Sequence, residues 1–276
     1  SLYSPSNFHE YSEVFRRSFP HYLYYCPYRG KELLCPTRDS IKRIYTPRRR
    51  FQVLPEKKDK NRMQTLTLEL INFLSDASGV SIDDFGVHGS IALGMETSQS
   101  DIDLVVYGAN NFRKLETAVN RLIAERMPSY TSSNEANSTP HKQFKGKAFI
   151  CNAVRKTDEI NTVYGDYRYS AVSPVKFRCK VIVDSETMFR PAIYKITNYQ
   201  SMNSESNLPL SHTPNTVESM IGLYRNIATK DDEIEVSGVL ERIEELRTGK
   251  TSFQVVVGSG SNENEYIRQV SMEDAR

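Results

Sequence analysis

The sequence of 276 residues is poor in cysteine: it has four, Cys26, Cys35, Cys151 and Cys179, and no CxxC pair. So few cysteines exclude a disulfide scaffold, and their spacing excludes a zinc ribbon. The five histidines are dispersed and form no HExxH, so a zinc-protease helix is excluded as well. No apolar run approaches the ~20 residues that span a bilayer. No apolar leader stands at the N-terminus. A reducing, cytoplasmic setting without a membrane partner is therefore the expectation. Ser1 in place of a methionine suggests a trimmed start, with part of the natural protein missing. With 38% hydrophobic and 25% charged residues, the composition is that of a folded soluble protein. At ~150 residues per domain, the length allows two domains.

Charge is uneven along the chain. Residues 1–60 carry 13 Lys and Arg against 6 acidic residues, whereas residues 231–276 carry 5 against 11. The basic end also holds seven of the sixteen tyrosines, and Arg48-Arg49-Arg50 is its most basic point. Basic residues interleaved with aromatics suit a nucleic-acid backbone and its bases. The same composition also suits a helical segment with a tyrosine-rich core and a solvated basic face. Pro20, Pro27, Pro36, Pro47 and Pro55 divide it into short helices and turns.

Further along, Met63, Leu66, Leu70, Phe73 and Leu74 recur at helical spacing, with Gly79 placed to end the helix. Gly86-Val87-His88-Gly89-Ser90 reads as a strand entering a tight turn. Asp101–Tyr107 reads as a buried strand. A second helix follows, capped by Asn110 or Asn111, with an apolar face of Phe112, Leu115, Val119, Leu122, Ile123 and Met127. Residues 128–146 read as a loop. Beyond Gly146 the texture is β, with strands expected at Phe149–Val154, Thr162–Tyr169, Val175–Val183, Ala192–Ile196, Glu218–Tyr224, Glu233–Leu240 and Ser252–Val257. Short strands with glycine corners suggest a small barrel or sandwich. The expected organisation is a basic, tyrosine-rich helical segment (1–60), an α/β core (61–150) and a β-rich C-terminal domain (151–270).

The chemistry concentrates in Gly89-Ser90, ten intervening residues, then Asp101-Ile102-Asp103. Residues i and i+2 of a strand share a face, ~6–7 Å apart along the backbone. Asp101 and Asp103 therefore point the same way, while Ile102 and Leu104 enter the core. Two carboxylates so placed repel unless a cation joins them. Mg²⁺ or Mn²⁺ takes oxygen ligands and keeps places for water and phosphate. The glycine allows close backbone approach, and the serine hydroxyl can hold a phosphate oxygen.

With these residues the sequence resembles the DNA polymerase β-like nucleotidyltransferase superfamily, whose signature is a Gly-Ser turn followed by Asp-x-Asp between apolar strands. Residues 86–94 and 100–108, with Tyr22–Pro27 and Phe189–Tyr194, are similar to a set of archaeal predicted nucleotidyltransferases that have an extra N-terminal piece. The resemblance implies an α+β fold with a polymerase β palm-like mixed sheet and flanking helices. It implies transfer of a nucleoside monophosphate from a nucleoside triphosphate, ATP or another, to an acceptor hydroxyl, by a two-metal mechanism. Asp101 and Asp103 would hold the metal ions, and Gly89 and Ser90 the β- and γ-phosphates. The superfamily usually adds a third carboxylate on a later strand. Asp184 is the first candidate here, ahead of Asp166 and Glu186. Without it, the protein would be a weak or inactive member of the fold that binds RNA or nucleotide. His88, Lys142, Lys145, Lys147 and the Lys176/Arg178/Lys180 stripe could each touch phosphate, or be ordinary packed or solvated side chains.

Overall fold

The computed structural model describes residues 8–125, 130–133, 141–259 and 264–270. Met127, expected on the second helix, lies outside them. The chain divides into two compact units: Arg43–Ile160, and Ser1–Lys42 together with Asn161–Arg276. This division departs from the boundaries read off the sequence. The basic segment is shared between the units, and residues 151–160 stay with the α/β unit.

The first residues form α1 (Phe8–Ser18) and a hairpin of β1 (Leu23–Cys26) and β2 (Lys31–Leu34). Then come α2 (Pro47–Val53), α3 (Arg62–Ser78), β3 (Phe85–Val87), α4 (Gly89–Leu93), β4 (Ile102–Tyr107), α5 (Ala109–Ala124), β5 (Tyr130–Ser133), β6 (His141–Phe144) and β7 (Lys147–Val154). The remainder supplies β8 (Tyr167–Glu186), β9 (Ala192–Ser201), β10 (Thr216–Ser219), β11 (Glu233–Glu245), β12 (Thr251–Val257) and β13 (Tyr266–Gln269).

In the Arg43–Ile160 unit the sheet order is β3-β4-β7-β6-β5, with β4 and β7 parallel and the other pairs antiparallel. Ile102, Leu104 and Val106 are fully buried on one face, among Leu66, Leu70, Leu74, Leu115 and Val119 of α3 and α5. The helical stripes expected from the sequence make this core. Asn61 opens α3 with a capping box to Gln64, and Gly79 closes it in the left-handed conformation. The second helix begins at Gly108 rather than on an asparagine cap: the amide of Asn111 donates instead to the Tyr107 carbonyl and to Asp84. The expected loop 128–146 contains β5 and β6, which extend the sheet. Its polar composition hid β6, whose Phe144 joins the core. Phe51 of α2 also joins the core, which is why the end of the basic segment belongs here.

The other unit is β-rich. Pairings run from β8 through β9, β10, β12 and β11 and return to β8, with β10 and β12 parallel and β13 added to β11. This is a single six-stranded sheet, not two facing sheets. Phe177, Tyr194, Val217, Val236, Leu240 and Val255 fill its core. Two expected strands, Thr162–Tyr169 and Val175–Val183, merge into the single β8. The expected strand Glu218–Tyr224 stops at Ser219 and gives way to a short 3-10 turn. The hairpin packs on the start of β8: Tyr169 donates its N–H to the Tyr28 carbonyl, and the Arg29 guanidinium lies 3.9 Å over the Tyr169 ring. No helix of the described residues is long and apolar enough to cross a membrane.

Candidate active site

The face of the β3-β4-β7 sheet opposite α3 and α5 is set by alternation. Asp103, Val105 and Tyr107 point to it from β4, and Asp101 stands just before the strand. On β7 the register pairs Asp103 with Ile150 and Val105 with Asn152, so Ile150 and Asn152 share the face. The Gly89-Ser90 turn leaves β3 beside Asp103. The His88 N–H donates to the Asp103 carbonyl at 3.0 Å. Gly89 has φ +63°, and a Cβ there would lie 2.0 Å from Asp103 Oδ2. A glycine is needed twice over, for the backbone conformation and for the carboxylate that fills the space.

Both aspartates are half-buried, and the Asp101 charge acts on the Asp103 carboxyl. Among the described residues neither side chain has a hydrogen bond or ion pair. Burial raises the Asp103 carboxyl above its ordinary value, the nearby His88 lowers it, and the Asp101 charge raises it again. Among the described residues no Lys or Arg side chain pairs with either carboxylate. The pair's donors are hard oxygens of the number that Mg²⁺ takes from protein when phosphates and water complete the shell, so the residues fit Mg²⁺ or Mn²⁺. Among the described residues no cluster of three His, Cys, Asp or Glu side chains could hold a metal.

The strand beside β4 carries no carboxylate: β7 reads Lys-Ala-Phe-Ile-Cys-Asn-Ala-Val. At the corresponding place on the face stands Asn152, whose Nδ2 lies 3.0 Å from His88 Nε2. Sequence reading passed over Asn152. An asparagine inside an apolar strand was the signal, but the β4·β7 register that gives it meaning is tertiary. Asp184 belongs to the other unit, near the end of β8, where its carboxylate accepts the Lys230 N–H at 3.1 Å. Asp166 accepts the Val163 N–H, also in that unit. Of the candidate lysines, Lys145 pairs with Glu69 at 2.8 Å, and Lys147 donates to the Ser98 carbonyl. Lys147 thus holds the loop between α4 and Asp101. Glu96 of the same loop accepts from Asn61 and Gln64 at the start of α3. Burial opposes its charge, but these amides and Lys57 outweigh burial and hold the carboxyl below the ordinary range.

A mixed sheet flanked by helices sets a Gly-Ser turn against Asp103 of β4, with Asp101 just before that strand. The family model described as "Nucleotidyltransferase domain" matches residues 68–146, which contain the turn and both aspartates. The chain is 26% identical over 214 residues to the uncharacterized protein MJ1086 of the archaeon Methanocaldococcus jannaschii, an alignment of 69% of this chain and 60% of that protein. No solved structure gives a significant match to the chain.

Proposed function

We propose that the Arg43–Ile160 unit transfers a nucleoside monophosphate from a nucleoside triphosphate to an acceptor hydroxyl, in the cytoplasm. The carrying observation is the unpartnered Asp101/Asp103 pair against the Gly89-Ser90 turn. Asp101 and Asp103 would hold Mg²⁺ or Mn²⁺. When bound, the metal supplies charge neutralisation at the attacking and leaving oxygens. Gly89 and Ser90 would hold the β- and γ-phosphates, the glycine by letting the chain approach and the serine through its hydroxyl. His88, fixed by Asn152, keeps the turn and the Asp103 carboxylate in register. In the transfer, the acceptor oxygen bonds to the α-phosphorus and its proton leaves to solvent. The bond to the bridging oxygen breaks, and pyrophosphate departs with that electron pair. Positioning supplies most of the rate in such chemistry.

The test is label transfer from α-labelled nucleoside triphosphates with Mg²⁺ or Mn²⁺, offering RNA and the protein itself as acceptors. Asp101→Asn/Asp103→Asn should lower transfer by about 10³-fold or more, with the fold intact. Full transfer in that variant overturns the assignment. Asp184→Asn examines the third carboxylate: a comparable loss supports it, and unchanged transfer removes it.

A second reading is favoured by β7, which offers the amide of Asn152 and no carboxylate to the aspartate face. It is a nucleotidyltransferase-fold protein that binds nucleotide or RNA with little turnover. Its signature is a melting temperature raised by nucleotide, as mass action requires, without label transfer.

A further inference from the structure

Much of the basic N-terminal charge falls within the unit that holds the aspartates. Residues 43–62 carry eight Lys and Arg against two acidic residues. Some of these cations are engaged within the fold. Arg48 lies 4.2 Å over the Tyr107 ring and faces Asp84, and Lys60 donates to the Pro55 and Lys57 carbonyls. The side chains of Arg49, Lys58 and Arg62 are exposed and have no ion pair or hydrogen bond among the described residues.

The segment lies close to the site. Pro47, the first residue of α2, sits against Gly86 on the aspartate face of β3: a Cβ on Gly86 would lie 2.8 Å from the Pro47 backbone. Arg43 and Arg50 both lie over the Tyr45 ring, their guanidinium carbons 5.8 and 5.3 Å from its centre. Tyr45 is 41% exposed and Ile44 beside it 73%. Arg50, Lys57 and Gln64 then line a cavity of about 230 Å³ walled by Val53, Leu54, Val87 and Ile91, with the Lys57 ammonium donating to Gln64 Oε1 at 3.0 Å. Arg50 Nε is buried and has no hydrogen-bond partner among the described residues. Ile91 is on α4, the helix that opens with Gly89-Ser90.

We propose that Arg43, Tyr45, Arg50 and Lys57 bind a single-stranded nucleic acid and, resting on the nucleotidyl-transfer reading, that its terminal hydroxyl is the acceptor. Cations spread along a segment match a polyanion better than a single small anion. A tyrosine flanked by guanidinium planes offers stacking that tolerates any base. A cavity walled by apolar side chains on one side and by Arg50, Lys57 and Gln64 on the other takes an unstacked base beside its phosphate, which a duplex cannot offer. The terminal oxygen would bond to the α-phosphorus, its proton leaving to solvent and pyrophosphate departing with the electrons of the broken bond.

The test is fluorescence anisotropy of the full chain with fluorescein-labelled oligouridylate and its deoxy counterpart, across a salt series and without divalent ions. Wild type should bind, more weakly as salt rises. Arg43→Ala/Arg50→Ala/Lys57→Ala should bind at least tenfold more weakly, with a log–log salt slope shallower by about 2, since each phosphate contact on a single strand contributes ~0.7. Tyr45→Ala should bind about tenfold more weakly with an unchanged slope. Arg49→Glu/Lys58→Glu alters only exposed side chains and should weaken binding without lowering the melting temperature. Asp101→Asn/Asp103→Asn should bind like wild type. No binding by wild type overturns the proposal, as does binding that survives the triple variant with its slope unchanged. Intact binding without label transfer to the oligonucleotide overturns the acceptor half alone. A preference between the ribose and deoxyribose probes names the natural strand.

Discussion

Each of the two units keeps carboxylates on a sheet, by opposite means. In the Arg43–Ile160 unit, among the described residues, no side chain bonds to the carboxylates of Asp101 and Asp103, and burial and the Asp101 charge push the Asp103 carboxyl up. In the β-rich unit, Glu235 is fully buried yet ringed. Arg268 lies 2.7 Å away, Lys176 and Arg178 each 3.6 Å, and the Tyr266 hydroxyl donates to it. Burial opposes its charge, but Tyr266, Arg268 and Lys176 outweigh burial and hold the carboxyl below its ordinary range. A carboxylate that the fold has satisfied is structural. A pair left unsatisfied on a sheet face awaits something from outside. The Lys176/Arg178 part of the basic stripe on β8 is accounted for by Glu235, and Lys180 by Asp231 at 2.8 Å.

The comparison breaks most visibly at Gly89. Gly89→Ala would drive a methyl group into Asp103 Oδ2 at a backbone conformation that L residues rarely adopt. The turn or the carboxylate must move by an ångström or more, a displacement that can cost about 10²-fold in rate. Label transfer should fall by that factor or more. The left-handed backbone should also cost ~1–2 kcal/mol of stability. Transfer at the wild-type rate would mean that the turn does not serve the aspartates.

Next in size is Glu235→Ala, which strands three cations. A pair broken deep inside a protein costs about 3–5 kcal/mol, but Arg268 and Lys176 are roughly half-exposed and screened, so about 2 kcal/mol is expected from denaturant unfolding. The mirror experiment is Asp103→Asn, which should do the reverse. The Asp103 carboxyl is raised in the folded state, so its contribution to stability is fully present below the ordinary carboxylate value and lost as pH rises through the raised one. Above that window the asparagine variant should melt higher than wild type, and in acid the two should converge. Added Mg²⁺ should raise the wild-type melting temperature and leave the variant unmoved. A variant that melts lower at neutral pH would place Asp103 with Glu235 among satisfied carboxylates.

The same contrast explains what the sequence made legible. The Gly-Ser turn, the Asp-x-Asp strand and the two flanking helices are local patterns, each written in one stretch of periodic residues, and the structure assembles them as read. What escaped was pairing. Asn152 gains its place from the parallel register with β4, and Glu235 of β11 gains its partners from two other strands, β8 and β13. The hairpins β1-β2 and β5-β6 lie in stretches whose prolines, serines and tyrosines read as turns and loops. The long β8 was split because Ser170–Pro174 interrupts its apolar alternation, at the point where the β8·β11 register slips near Leu240. The third carboxylate was sought on a later strand by apolar alternation alone. That pattern picks a strand but not the sheet it joins.

The smallest effect expected tests a carboxylate between the two extremes. Glu218 is buried on β10, near Arg29 and Lys31 of the N-terminal hairpin and near Glu241, which accepts from Gln254 at 3.0 Å. Burial raises its carboxyl, Arg29 lowers it and Glu241 raises it again, and the net direction is upward. The hairpin's cations thus offset only part of the burial. The folded unit holds a proton on Glu218 more readily than the unfolded chain does, so this group's contribution is complete below the ordinary glutamate value and lost as pH rises through the raised one. Glu218→Gln keeps the shape and removes the titration. Its melting curve should lose less stability than wild type across that window and equal or exceed wild type at neutral pH. A glutamine variant that melts lower at neutral pH would mean that Arg29 satisfies Glu218 as fully as Arg268 and its neighbours satisfy Glu235. The unpartnered pair at Asp101 and Asp103 would then be the sharper exception.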